Sequence, residues 1–179
     1  LGAGITASGV DFASLQGDKA VVEIMQRMGA DIAQNADSVT VNSGATQATV
    51  IDASNCPDII PVLTVLAAVS EGTTKIINAG RLRIKECDRL AAITSELNKM
   101  GAAITEEPEG LTIIGKPEGL RGGVEVDAWN DHRIAMSLAI AAQCCAEPII
   151  LTGAGSVSKS YPDFWEDYKS VGGKIEVLA

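Results

Sequence analysis

The chain is poor in aromatic side chains, in histidine and in positive charge. Six aromatics among 179 residues leave any core to Ala, Val, Ile and Leu. Fourteen Lys and Arg against 23 Asp and Glu give a formal net charge of −9, so the basic face that a nucleic-acid footprint needs is missing. Long apolar runs are absent too. The longest, residues 59–69, holds Pro61 and Thr64 and falls well short of the ~20 residues of a membrane span. Four cysteines (Cys56, Cys87, Cys144 and Cys145) form no C-x-x-C pair, and the single histidine, His132, leaves no ligand set for a metal. They do not read as a disulfide framework, and a reducing cytosol is the expected compartment. One histidine and no nucleophile elbow exclude a Ser-His-Asp triad. No glycine cluster fits a P-loop or a dinucleotide fingerprint. The sequence opens on Leu1-Gly2-Ala3-Gly4, with no Met and no signal peptide, so residue 1 is not read as a natural start.

What is present is apolar and repetitive. Apolar residues make up 46% and charged ones 21%, a balance that packs a globular core and argues against disorder. Self-similarity is the strongest signal. Met28-Gly29-Ala30-Asp31-Ile32 returns as Met100-Gly101-Ala102-Ala103-Ile104 and, more weakly, as Val171-Gly172-Gly173-Lys174-Ile175, with the glycines 72 and 71 residues apart. Apolar residues at helical spacing precede the first two copies (Val21, Val22, Ile24, Met25, Met28; Leu90, Ile93, Leu97, Met100). A β-like run follows all three, so the motif reads as helix, C′ glycine, strand. Ile51-Asp52-Ala53-Ser54-Asn55 is matched by Val126-Asp127-Ala128-Trp129-Asn130, each ahead of an apolar helix at 59–69 and 134–142. A third match aligns Leu1-Gly2-Ala3-Gly4 with Ile77-Asn78-Ala79-Gly80 and Thr152-Gly153-Ala154-Gly155. The expected architecture is an α/β (α+β) single domain over 1–179. Its units run about 1–76, 77–151 and an incomplete 152–179, and they pack about a pseudo-symmetry axis.

Several cations occupy places that a helix does not favour. His132 and Arg133 follow Asn130-Asp131, a good N-cap pair, and so fall in the first turn of the helix at 134–142. Lys159 precedes Ser160-Tyr161-Pro162-Asp163, where Pro162 reads as the first residue of the next helix. Lys85 stands just before a helix holding Glu86, Asp88 and Arg89. Each cation at a helix start opposes the macrodipole by some tenths of a kcal/mol, roughly 0.3–1. Alongside free backbone N–H groups they suggest an anion site. The repeat joins them: Asp58 and His132 are 74 residues apart at matching helix starts, and so are Lys85 and Lys159 in matching loops. Matching loops related by a pseudo-rotation open at one end. Asp58, Lys85, Glu86, Arg89, His132, Arg133 and Lys159 are therefore expected on one surface. The plainer reading is a set of solvated charges paired among themselves. Asp58 sits at the rim of the core, and Glu86 has Arg89 nearby. Carboxylates flanked by fixed cations hold or release a proton according to whether an anion is bound.

Three stretches carry a family resemblance. Leu82-Arg83-Ile84-Lys85-Glu86-Cys87-Asp88-Arg89-Leu90, Asn130-Asp131-His132-Arg133-Ile134-Ala135-Met136 and Val157-Ser158-Lys159-Ser160-Tyr161-Pro162-Asp163-Phe164 resemble, in order, signatures of the 3-phosphoshikimate 1-carboxyvinyltransferases, the EPSP synthases of the shikimate pathway. The resemblance covers the whole chain but only about the C-terminal half of a family member. It implies an enolpyruvyl transferase-like fold of two similar domains. Each has three βαβαββ units about a pseudo-threefold axis, and about two and a half units of one are present here. It also implies transfer of enolpyruvyl from phosphoenolpyruvate to the 5-hydroxyl of shikimate 3-phosphate. The reaction passes through a tetrahedral adduct that loses phosphate, without metal or organic cofactor.

Carried over by motif, Asp58 would accept a proton near the shikimate hydroxyl and Glu86 would donate one to the methylene carbon. Lys85 would contact the shikimate phosphate ligand, Arg89, Arg133 and Lys159 would bind phosphoenolpyruvate, and His132 would support them. Cys87 stands where Ser or Thr is usual, and Trp129 where Tyr is common. The family's other domain supplies serines, a Gln and an Arg, and its N-terminal segment another Lys. This chain by itself is therefore expected to lack half of the active site and to turn over poorly. A UDP-sugar enolpyruvyl transferase shares the architecture, but the Lys-Glu-x-Asp-Arg and Asp-His-Arg runs favour the shikimate enzyme. A non-catalytic anion-binding domain fits every residue. The third unit lacks a counterpart of residues 52–77, which should expose part of the core.

Overall fold

A computed structural model describes residues 4–178. Short alternating segments form β1 (Ile5–Ser8), β2 (Ile32–Gln34) and β3 (Ser38–Val41), an antiparallel sheet in the order β1-β3-β2. A second sheet joins β4 (Val50–Asp52), β5 (Thr73–Ile77), β6 (Ala103–Glu107) and β7 (Gly110–Ile114) in the order β4-β5-β7-β6. A third holds β8 (Glu125–Asp127) and β9 (Ile150–Thr152), paired in parallel. Five α-helices run between them among the described residues: α1 (Ala20–Arg27), α2 (Ile60–Ala68), α3 (Arg89–Lys99), α4 (His132–Ala142) and α5 (Phe164–Ser170).

The middle stretch, β4-α2-β5-α3-β6-β7, is one whole βαβαββ unit. Within it β4 pairs parallel with β5, and β7 pairs antiparallel with both β5 and β6. Ahead of it, β1-α1-β2-β3 repeats its last four elements; after it, β8-α4-β9-α5 repeats its first four. The sheets show what each partial unit leaves out. Among the described residues the first has no parallel edge strand, and the third has no antiparallel pair beside β9.

The repeat glycines behave as the sequence implied. Gly29, Gly101 and Gly172 each follow a helix with φ of 84°, 101° and 100°, left-handed values that a side chain resists. Gly110 is required for space, because a Cβ there would lie 2.2 Å from the Ile76 carbonyl oxygen. The apolar segment at 59–69 becomes a 3-10 turn (Pro57–Ile59) and α2, which packs against α4. Ile60, Leu63, Ile93, Leu97, Ile134 and Leu138 build the main core between the helices and the second sheet. A smaller cluster seats Phe164 and Tyr168 of α5 on Ala135, Ala139 and Val157.

Four expectations need correction. Leu1, Gly2 and Ala3 lie outside the described residues, and strand pairing contradicts their alignment with Ile77-Asn78-Ala79. Ile5 stands opposite Val41 as Thr73 stands opposite Ile114, so β1 is the counterpart of β5, and a stretch matching Ile77-Asn78-Ala79-Gly80 belongs after β1 rather than before it. The helix-start pairs shift by one residue. Cys56 N bonds the Ala53 carbonyl as Asp131 N bonds that of Ala128, which sets Asp58 against Arg133 rather than His132. By the same register Lys85 falls opposite Ser160 rather than Lys159, because Ile77 and Thr152 end matched strands. Residues 174–178 form no strand. Their counterpart β6 pairs only with β7, and the third unit has no such strand to offer a ladder. Pro162 lies two residues ahead of α5 rather than at its first position.

The missing elements leave apolar surface uncovered. Val62 on α2 is 36% exposed, and Leu66, Val69, Met136 and Ile140 are only partly buried. β9 also keeps one unpaired edge among the described residues, a site for strand addition. Supplying an antiparallel strand there, by a longer chain or an added peptide, should raise the melting temperature. Covering on the order of 100 Å² of apolar surface stabilises by roughly 2–3 kcal/mol at ~25 cal/mol per Å². An unchanged melting temperature in calorimetry, with the segment demonstrably present, would show that this edge does not pair.

Candidate active site

The site is built where the second and third units meet. A 3-10 turn (Gly80–Ile84) follows β5, and its Arg83 is pinned on every side. The guanidinium donates to the Pro108 and Glu107 carbonyls at 2.8 and 2.7 Å, and to the Asp88 and Glu106 carboxylates at 2.9 and 2.7 Å. Asp88 in turn caps α3 by accepting from Ala91 N at 3.1 Å, so Glu86 and Asp88 precede the helix instead of lying within it. Between the Arg83 pin and the Asp88 cap, Lys85, Glu86 and Cys87 have a fixed backbone from which to project.

Arg89, at the start of α3, organises the centre. Its side chain is 3% exposed and reaches Asp131 through Nε at 2.8 Å and Nη2 at 3.3 Å, while Nη1 reaches Asp58 Oδ1 at 2.8 Å. Asp131 is completely buried and caps α4, accepting from Arg133 N at 2.8 Å and Ile134 N at 3.4 Å. The expected cap at the His132 helix is therefore real, and its carboxylate also binds a guanidinium from the neighbouring unit. Lys85 Nζ approaches Asp58 Oδ1 at 3.1 Å, and Arg133 Nη2 lies 3.7 Å from Asp58 Oδ2 and 3.9 Å from Asp18 Oδ2.

A second carboxylate gathers the remaining residues. Glu86 Oε2 is 3.3 Å from Lys159 Nζ, and Glu86 Oε1 is 2.8 Å from His132 Nδ1. The Glu86 carboxylate thus meets His132 Nδ1, whereas Arg133 Nε is buried without a partner among the described residues. Lys159 ends a 3-10 turn (Ala154–Lys159) and also donates to the Asn130 carbonyl. That carbonyl is presented by a strained turn: Trp129 and Asn130 both have φ of 51°, and left-handed non-glycine residues cost of order 1–3 kcal/mol each.

Electrostatics separate the groups. Burial raises the proton affinity of Asp58, but the Lys85 ammonium and the Arg133 and Arg89 guanidinium groups outweigh it and hold the carboxyl below its usual range. Asp131 shows the same contest. Burial pushes its pKa up, and Arg89 with the α4 amides more than reverses that. The Cys87 thiol is pushed up to about 12 by burial and by the Asp131 charge beside it, so it is an inert packing group facing that cap.

All seven sequence-derived residues meet here: Asp58, Lys85 and Arg89 in one cluster, Glu86, His132 and Lys159 in another, and Arg133 beside the first. One feature differs from expectation. Arg89, expected to bind phosphoenolpyruvate, is committed to Asp131 and Asp58. Sequence reasoning treated Asp131 only as a cap and missed Glu96, a carboxylate 1% exposed on α3 that accepts from Trp129 Nε1 at 3.0 Å. Its signal was visible as a charged residue among the apolar positions of α3. Glu86, Asp131 and His132 each offer a ligand atom within one small cluster, but Asp131 already binds Arg89 through both oxygens, which leaves no set for a cation.

The family model for EPSP synthase (3-phosphoshikimate 1-carboxyvinyltransferase) matches residues 1–168. The 3-phosphoshikimate 1-carboxyvinyltransferase of Clostridium kluyveri is 55% identical over 176 residues, covering 98% of this chain and 41% of that protein. That of Clostridium beijerinckii is 57% identical over 178 residues, with 98% and 40% covered. The chain thus spans about two fifths of the length of these relatives. Among solved structures, an EPSP synthase from Acinetobacter baumannii superposes with a TM-score of 0.90 at 29% identity, over 99% of this chain and 44% of that one. The enolpyruvyl transferase NikO from Streptomyces tendae shares the fold, with a TM-score of 0.77 at 24% identity over 97% and 40%. The three signature stretches, the repeated α/β units and these matches agree, and the chain belongs to the EPSP synthase (3-phosphoshikimate 1-carboxyvinyltransferase) family.

Proposed function

We propose that this chain supplies one half of the active centre of an enzyme that transfers the enolpyruvyl group of phosphoenolpyruvate to the 5-hydroxyl of shikimate 3-phosphate. One observation supports the reading most strongly. Lys85, Arg133 and Lys159, on three different elements, have their charges met only by Asp18, Asp58 and Glu86 among the described residues. A substrate phosphate or carboxylate can compete for those cations. The buried, unpartnered Arg133 Nε points the same way, since an unsatisfied buried polar group costs about 1–3 kcal/mol that an anion can offset.

The chemistry follows from the two carboxylates. The neighbouring Lys85, Arg133 and Arg89 charges depress the proton affinity of Asp58. Substrate anions that engage Lys85 and Arg133 neutralise this field, so Asp58 becomes a better base only when the site is filled. It then takes the hydroxyl proton as the oxygen bonds to C2 of phosphoenolpyruvate, and Glu86 gives a proton to the methylene carbon. Loss of phosphate and of a proton from the new methyl group restores the double bond. Arg133 and Lys159 fix the phosphoenolpyruvate anion, Arg89 holds Asp58 and Asp131 in place behind them, and His132 lies against Glu86. No metal or organic cofactor enters these steps. The remaining shikimate 3-phosphate contacts belong to the other domain of the enzyme, and a cytosolic location suits such a biosynthetic step.

The test is a phosphoenolpyruvate titration of the purified chain, with and without shikimate 3-phosphate, paired with an assay of phosphate release. Binding without turnover is expected, because catalysis needs both reactants in one geometry, an effect worth up to ~7–11 kcal/mol. Robust release dependent on both substrates would overturn the assignment of half a site. Arg133→Ala and Lys159→Ala should each weaken phosphoenolpyruvate binding without lowering the unfolding free energy by more than about 0.5 kcal/mol, since each gives up only partly exposed ion pairs. A large fall in melting temperature for either would assign it to a structural ion pair.

A further inference from the structure

We infer that Glu96 is a positioning residue for this site: through Trp129 it fixes the strained turn that presents the Asn130 carbonyl to Lys159 and sets Asp131 against Arg89. The inference rests on the anion-site reading of Lys159, and the internal repeat makes it testable. Glu96 Oε1 accepts from Trp129 Nε1 at 3.0 Å, and Oε2 accepts from the backbone N of Asp127 at 3.0 Å and from Lys99 Nζ at 2.7 Å. The end of β8 and the second residue of the loop that leads to α4 are thereby tied to one buried carboxylate on α3.

The fold itself does not ask for a carboxylate there. The same helix position in the first unit, four residues before Met28 as Glu96 is before Met100, holds Ile24, 3% exposed and packed in the core. The loop facing that helix differs in step. Trp129 and Asn130 are left-handed, whereas their counterparts Ser54 and Asn55 are not among the non-glycine residues with positive φ. Carboxylate and strained turn occur together where the second unit meets the third, and both are absent where the first meets the second. Trp129 is 37% exposed, so packing alone does not hold its indole, and Glu96 is its side-chain hydrogen-bond partner. The turn itself carries the Asn130 carbonyl that accepts from Lys159 Nζ, and directly after it Asp131 binds Arg89. Releasing the indole lets the left-handed residues relax, which moves both.

Glu96→Gln keeps the volume but replaces an acceptor oxygen by an amide group that cannot accept from both Trp129 and Asp127. Trp129→Phe removes the same bond from the other side, and Glu96→Ile copies the residue the first unit folds with. The first readout needs no ligand: labelling of lysines by acetic anhydride in the purified chain, read by mass spectrometry. Lys159 labelling should rise about three- to tenfold in Glu96→Gln and in Trp129→Phe, the factor one hydrogen bond represents, with Lys75 and Lys169 unchanged. The double variant should add little, since the two residues act through one bond. Phosphoenolpyruvate affinity should fall by a similar factor. Unchanged Lys159 labelling in both single variants overturns the inference. So does a uniform rise at every lysine, which marks general loosening. If Lys159 labelling rises selectively but the unaltered chain binds neither phosphoenolpyruvate nor inorganic phosphate, the positioning role stands and the anion-site reading fails.

Discussion

Asp131→Ala is expected to lower the unfolding free energy of this chain by about 3–5 kcal/mol, the usual cost of leaving one partner of a buried ion pair uncompensated. Arg89, 3% exposed, would keep only Asp58, and α4 would lose a cap worth about 1 kcal/mol. Urea denaturation measures the loss directly. Replacing both partners, Asp131→Ala with Arg89→Met, should recover part of it, because the stranded charge is gone. The pH dependence has a definite sign. The Asp131 carboxyl is depressed in the folded state, so its stabilisation is full above the unfolded-state value of about 3.9 and fades as pH falls through the lower folded-state value. The variant should therefore be less acid-sensitive than the parent over that window. A loss below about 1 kcal/mol would mean that Arg89 is adequately held by Asp58 alone.

Much of this arrangement was legible in the sequence because it rests on local rules. The C′ glycines at 29, 101 and 172, the apolar helices and the Asp131 cap follow from short-range pattern and backbone conformation. The repeat then converted local matches into a shared surface, and all seven residues do meet. Where the reading slipped, the deciding physics was non-local. Strand register, which a sequence pattern does not state, moved Asp58 opposite Arg133 and displaced the Leu1–Gly4 match. A β-like run at 174–178 formed no strand because a ladder needs a partner. Glu96 and the pairing of Asp131 with Arg89 were missed because both depend on which helix of one unit faces which loop of the next. No spacing within a unit encodes that.

Glu86→Gln, made in the whole enzyme, is expected to lower kcat by about 10²–10⁴-fold, the range for losing a positioned general acid, while KM for phosphoenolpyruvate changes little. The geometry favours this split. Glu86 touches Lys159 at 3.3 Å and His132 at 2.8 Å, and Gln keeps an oxygen that can still accept from Lys159. Lys159 also retains the Asn130 carbonyl, so the cation stays in place when the charge on Glu86 is removed. What Gln cannot do is exchange a proton with the methylene carbon. Binding and chemistry therefore part company at this residue more cleanly than at Asp58, whose carboxylate three cations share. The check is steady-state kinetics with both substrates varied, together with phosphoenolpyruvate affinity measured directly. A fall in kcat with affinity preserved assigns Glu86 to proton transfer. Parallel losses in kcat/KM and affinity, with kcat intact at saturation, would instead make it a holder of Lys159 and move the proton donor elsewhere in the site.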